Sequence, residues 1–352
     1  MTVVAVSRLR LTDGDMAGRV VVFLALMSGL AGTAAYFLAV RVDLSPLDSF
    51  SPLRLSGVIG LSALITLANV ASARVLLRGA EWNRSLSSLY LVITTSQAAN
   101  YVTTVVVGMP VRVYLYNRVL RVATSAGAAM TVAEAVFGTA TPAIVGVLCI
   151  GIFWGEVNAV WLLAGLVFLV AAVAAFLSLR TDRAALLLEG LPRPWWGRRG
   201  LELMQRLQES VRSLDGRGIA VANAIYVLVF ALAGLRLYLL LDMVGSQENV
   251  AYLIGAQGLA FTAGTLSLLP MGIGARDATL LALLLGLGID RDSAIAATVM
   301  ERLLTTGWPF LLGLVSAQVL GFKALFGKDA PFEEGEWDHQ GAKAPLTGES
   351  KG

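Results

Sequence analysis

Cysteine, histidine and lysine are nearly missing from this chain, and each shortage closes off a class of chemistry. The one cysteine, Cys149, lies inside an apolar run, so the chain can form neither an internal disulfide nor a cysteine-based metal site. The one histidine, His339, sits in a polar C-terminal stretch. Zinc catalysis, histidine general-base catalysis and Ser-His-Asp arrangements therefore lack their central residue. All four lysines fall from Lys323 onward. Charge of either sign is also scarce: charged residues make up 14%, against about a quarter in a soluble domain, while hydrophobic residues reach 57%, against about 45 to 50%. A chain so poor in charge cannot cover a water-facing surface, so it reads as an integral membrane protein, and 352 residues provide about six to eight spans with short loops. No metal and no cofactor is expected, and nothing requires a nucleic-acid partner.

What is present is a series of apolar runs joined by basic connections. Residues 1–19 are polar and carry Arg8, Arg10 and Arg19. The run 20–40 is too long for a signal-peptide core and lacks a convincing cleavage site after it, which makes it a retained span. A second run, 55–75, is followed by Arg74, Arg78 and Arg84, whereas the connection between the two runs is neutral. By the positive-inside rule the N-terminus and the loop near residue 80 face the cytoplasm. Residues 86–108 are apolar apart from Gln97 and Asn100, and after a shorter piece, 114–121, a long helix is expected over about 126–154. A clean span, 158–179, leads into the loop 180–217, where eight arginines against five acids mark another cytoplasmic segment. Leu201, Met204, Leu207, Val211 and Leu214 recur there at helical spacing, an amphipathic surface helix read as a topological anchor, with a lipid-headgroup or partner site as the alternative. Apolar runs at 218–241, 250–269 and 292–320 complete the membrane region, and 323–352 is a tail expected to be disordered and cytoplasmic.

Two interruptions organise the rest. In Leu268-Leu-Pro-Met-Gly-Ile-Gly-Ala-Arg-Asp277, Pro270, Gly272 and Gly274 stop a helix where no water is at hand to satisfy the freed backbone. Arg276 and Asp277 follow at once and would each cost about 2.5 to 3.5 kcal/mol at mid-membrane, so they are expected to face inward toward a site. The alternative is a short extramembrane loop. A similar break is expected at Gly108-Met-Pro-Val-Arg112, with Pro110 as its breaker.

The long helices carry a repeat. Thr131, Glu134, Pro142 and Gly146 recur 167 residues later as Thr298, Glu301, Pro309 and Gly313. The fold expected is all-α: two inverted repeats, about 20–154 and about 158–320, with six full spans and two broken re-entrant helical hairpins. Eight full crossings with a parallel repeat is the competing plan. Glu134 and Glu301 fall near mid-membrane, with Pro142 and Pro309 expected to kink the helices beyond them. Together with Arg302 they are the candidate gating or protonation groups, with Arg112, Arg276 and Arg302 as counter-charges; static ion pairs pinning the bundle are the alternative. Arg236, close to the end of its span, is expected to snorkel to the interface, and Asn69 and Asn100 to serve helix packing.

Pro270-Met-Gly-Ile-Gly-Ala-Arg-Asp277 and Glu301-Arg302 resemble the membrane region of lysylphosphatidylglycerol synthases and of the stand-alone flippase-like membrane proteins that share it. The likeness covers about residues 15–322, with Asp277 in place of the family's glutamate. The first copy departs further: Gly108 and Arg112 match, but Met109 replaces an acid, Thr104 a proline, and Glu134 is followed by Ala135 rather than arginine. With the soluble aminoacyl-transferring module absent, the resemblance implies translocation or binding of a phospholipid or lipid-linked amphiphile, not its synthesis. It makes Arg112, Arg276, Asp277, Gly108, Gly272 and Gly274 the headgroup-binding set, in the inner or plasma membrane, with a membrane lipid as ligand and a second copy or a partner enzyme as possible companions. The alternatives are an ion- or proton-coupled carrier of a small anion, a non-transporting partner protein and, weakest, an intramembrane lipid enzyme.

Overall fold

The computed structural model describes residues 51–79, 85–102, 105–153, 214–267 and 274–321, with isolated positions at 167, 208, 209, 211, 212 and 272. The expectations for 1–50, 158–179, Pro270, most of the 180–217 loop and the tail lie outside these residues. All regular structure among the described residues is helical: α1 (Pro52–Leu76), α2 (Leu86–Val102), α3 (Val105–Leu120), α4 (Thr124–Phe153), α5 (Gly216–Met243), α6 (Val250–Leu266), α7 (Ala275–Gly286), α8 (Arg291–Arg302) and α9 (Trp308–Leu320), the last two joined by a π-helical turn, Leu303–Gly307.

Short polar residues set the helix starts. Asp215 accepts hydrogen bonds from the amides of Arg217 and Gly218 at the start of α5, Asn249 from Ala251 at the start of α6, and Asp290 from Asp292 and Ser293 at the start of α8. Pro52 opens α1, where a missing N–H costs nothing. Among the described residues, four stretches are long and apolar enough to cross a membrane: Pro52–Leu76, Thr124–Gly151, Gly216–Met243 and Arg291–Leu320. Their outer faces carry exposed Leu64, Leu67, Leu228, Val315 and Val319, which hydrocarbon tolerates and water does not. The helices of the two hairpins, α2–α3 and α6–α7, have only 17, 16, 17 and 12 residues. At about 1.5 Å per residue each falls short of a hydrocarbon core of about 30 Å.

The repeat reappears in the helix boundaries. The α4 helix and the α8–π–α9 helix begin 167 residues apart, at Thr124 and at Arg291. Packing between the copies is reciprocal: α6 lies along α4, α2 lies along α9, and the equivalent helices α1 and α5 lie along each other. The α1–α5 pair runs antiparallel, since Arg54 meets Asp242 at 3.1 Å, Ser62 meets Arg236, and Gly218 lies beside the Val75 carbonyl. Two apolar clusters close the bundle. Leu76, Leu77, Val211 and Leu214 pack with Leu89 from the start of α2 and with Leu115 and Leu120 from the end of α3. Ile150, Leu237 and Leu241 pack with Tyr252 and Leu253 from the start of α6 and with Leu280 and Leu284 from the end of α7. Each hairpin therefore begins and ends in one and the same cluster.

Glycines let the helices meet. A Cβ at Gly313 would sit 2.3 Å from Ala98 Cβ and 2.5 Å from the Thr94 carbonyl, and one at Gly146 would sit 2.8 Å from Leu259. Both are contacts that no side chain could enter without moving the partner helix. The reading of Gly108 and Pro110 needs correction. Helix α3 runs through Gly108 and Pro110, so neither residue breaks it, and Gly108 marks the crossing of α3 over Asn100. Helix α4 holds Pro142 within it, which the kink expected there allows. Neighbouring helices hold these segments in place, so one lost backbone hydrogen bond does not end them. Only Pro309 coincides with a change of helix type, following directly on the π turn.

Candidate functional site

Glu134 and Glu301 each stand ten residues after the start of their helix, Thr124 and Arg291. That is about 15 Å along the axis at 1.5 Å per residue, half of a hydrocarbon core of about 30 Å. Both are buried, and both face an arginine carried by a hairpin. Arg112 Nη1 donates to Glu134 Oε2 while its Nε donates to Ser96 Oγ at 3.0 Å, and the Tyr116 hydroxyl donates to Glu134 Oε1 at 3.3 Å. Arg276 Nη2 lies 3.6 Å from Glu301 Oε1 and donates to Gln257 Oε1 at 3.4 Å. Arg112 and Arg276 hold equivalent places in the two hairpins. Gly108 crosses Asn100 and Gly272 crosses Gly264, all at one shift of 164 residues, and Gly272 needs its positive φ of 61° to do so.

The second copy carries more charge. Arg236 binds Glu301 in a fork, Nη2 to Oε1 at 2.6 Å and Nε to Oε2 at 3.1 Å, and its Nη1 donates to Ser62 Oγ at 3.1 Å. Arg236 is thus a buried ion-pair partner and does not snorkel. The rule that charges near a helix end reach outward applies to faces turned to lipid, and Arg236 shares its face with buried Ala233, Leu237 and Leu240. Arg302 is not a counter-charge of either glutamate: its Nη1 lies 3.5 Å from Asp277 Oδ1, and neither Nη1 nor Nη2 has a hydrogen-bond partner. Asp277 also accepts from the Gly274 amide at 3.2 Å, so it caps α7, which Gly274 opens at φ 83°.

Tyr101, near the end of α2, joins the two groups. Its hydroxyl donates to the Thr305 carbonyl at 2.9 Å, the carbonyl that Pro309 leaves unfilled four residues on. The same hydroxyl lies within electrostatic range of Arg276, Arg302, Arg236 and Arg112. Among the described residues, four buried or nearly buried arginines thus gather with three buried carboxylates, Glu134, Glu301 and Asp277, in an apolar bundle. No group of three or more metal-ligating side chains occurs among the described residues.

Sequence reasoning named Arg112 and Arg276 as counter-charges of the buried glutamates without saying which arginine meets which carboxylate. It missed Arg236, Tyr116, Ser62, Ser96, Gln257 and Tyr101. For Arg236 a signal existed in the helical face it shares with apolar residues; the others are polar residues of a kind that apolar helices carry for packing.

Long apolar helices enclosing buried charge define a multi-pass helical membrane protein. The chain belongs to the family described as the lysylphosphatidylglycerol synthase TM region, whose model matches residues 16–313. No curated protein matches it.

Proposed function

We propose that the protein binds an anionic amphiphile, a phospholipid or lipid-linked intermediate, and moves it between the leaflets of the cell membrane. The observation that carries this reading is the excess of buried cationic charge among the described residues, four arginines against three carboxylates, at mid-depth along the long apolar helices. Charge there is costly and is retained where a ligand or a moving part uses it. Arg112 and Arg276 are the two members with the most accessible side chains, 14% and 12%, and each is held by a glutamate it could exchange for a phosphate. Glu134 and Glu301 act as gates, holding the arginines when no headgroup is bound.

The same reading takes the two copies as inverted repeats. It is supported by the antiparallel contact of α1 with α5 and by hairpins that begin and end in one cluster. With the apolar stretches 20–40 and 158–179 this makes six spans and two re-entrant hairpins, both termini being cytoplasmic by the distribution of arginine. Exchange of fluorescent phospholipid in vesicles containing the purified protein tests it. Arg112→Ala and Arg276→Ala are expected to lower the exchange rate at least about tenfold, the worth of one charge-assisted contact. Wild-type rates in both variants would remove the headgroup role. A small-anion carrier is the second reading, favoured by the same cationic excess, and uptake of a soluble anion with no lipid exchange would select it.

A further inference from the structure

The two copies are not equivalent in charge. The first pairs one arginine with one glutamate, whereas the second sets Arg236, Arg276 and Arg302 against Glu301 and Asp277, one positive charge in excess. The buried side-chain atoms of the second copy that lack partners are mostly donors: Nη1 and Nη2 of Arg302 and Nε2 of Gln257, with the Thr306 hydroxyl one turn beyond Arg302. Gln257 is tied to Arg276, and Arg276 reaches the glutamate next to Arg302, so these groups belong to one connected cluster. Buried donors without acceptors are expensive, and a guanidinium is acceptor-free on its own account.

Resting on the lipid reading above, we infer that the second copy alone holds a resting site for a single monoanionic phosphodiester, centred on Arg302 and completed by Gln257 and Arg276, with Asp277 as the internal anion that the ligand outcompetes. The phosphate of a diester brings only acceptor oxygens and one negative charge, which matches both the unfilled donors and the excess charge. A phosphomonoester would bring up to two charges. The carboxylate of Asp277 stands 3.5 Å from Arg302 without a hydrogen bond and is held back by the Gly274 amide, so it neutralises Arg302 without saturating it.

The test is binding to the full-length protein in detergent, followed by native mass spectrometry and titration calorimetry, with phosphatidylglycerol, phosphatidylcholine and soluble glycerophosphoglycerol as probes. Wild type is expected to prefer phosphatidylglycerol to phosphatidylcholine. Arg302→Gln should lose about tenfold in affinity for phosphatidylglycerol, and Arg302→Lys should lose less. Asp277→Asn keeps a capping side chain and removes the competing anion, so it should bind phosphatidylglycerol more tightly than wild type. This opposite sign keeps the test informative if Arg302→Gln does not fold. Unchanged affinity in Arg302→Gln, or weaker binding in Asp277→Asn, overturns the site. Equal affinity for glycerophosphoglycerol upholds the anion site with a soluble ligand as its source. If Arg302→Gln binds and exchanges lipid like wild type while Arg276→Ala does not, this inference fails and lipid translocation stands; if wild type neither binds nor exchanges lipid, translocation itself fails.

Discussion

Glu301 shows what a single side chain does in this bundle. Its carboxylate is 1% exposed and takes a forked arginine on one side and a second arginine at 3.6 Å on the other. Desolvating such a pair consumes most of the Coulomb gain, so it adds little net stability, but removing one partner leaves an uncompensated buried charge. Glu301→Gln is therefore expected to lower stability by about 3 to 5 kcal/mol, read as the thermal midpoint in detergent. Adding Arg236→Met should recover part of the loss, because the stranded guanidinium is gone; no recovery in the double variant would show that the pair is not the source. The residue scale is also where one sequence expectation failed. Whether an arginine turns to lipid or to the interior depends on partners such as Ser62, which lies 174 residues away, and no count along one helix contains that.

Among the elements, helix contact depends on small residues and on caps. Gly313→Leu would drive a side chain into the Thr94 backbone, and overpacking of that kind costs about 1 to 3 kcal/mol. Gly146→Leu should behave alike, because it holds the equivalent contact on α6. Thermal unfolding of both variants checks this, and a stability within error of wild type would contradict the close approach. Asp290 lies in the exposed turn before α8, where hydrogen bonds from the Ser293 hydroxyl and amide hold its carboxyl below the ordinary aspartate range. A depressed folded value means the cap is fully present above the ordinary aspartate pKa of about 3.9 and is lost as pH falls through the lower folded value. Asp290→Ala should cost about 1 kcal/mol near neutral pH, and the difference from wild type should vanish in acid. The long helices and the spacing of the two copies were legible as apolar runs and a shift of 167 residues. That Gly108 and Pro110 lie within a helix was not, because they carry the composition of a breaker while packing keeps them helical.

For the molecule as a whole, the testable quantity is direction across the membrane. In a Cys149→Ser background, cysteines at Gly57 and Leu239 should cross-link, since a Cβ at 57 would lie 3.5 Å from Leu239. Cysteines at Ser56 and Gln247 should react with an impermeant reagent from one side of the membrane, and a cysteine at Gly216 from the other. Labelling of all three from one side would be incompatible with the antiparallel α1–α5 pair crossing the bilayer. Composition determined, without any coordinates, that this chain lives in a bilayer, because hydropathy is a property of the chain read in order. Which arginine meets which carboxylate was decided only by the tertiary structure. Pairing inside an apolar bundle depends on the helix face each charge occupies and on how far apart the glycines let the helices stand.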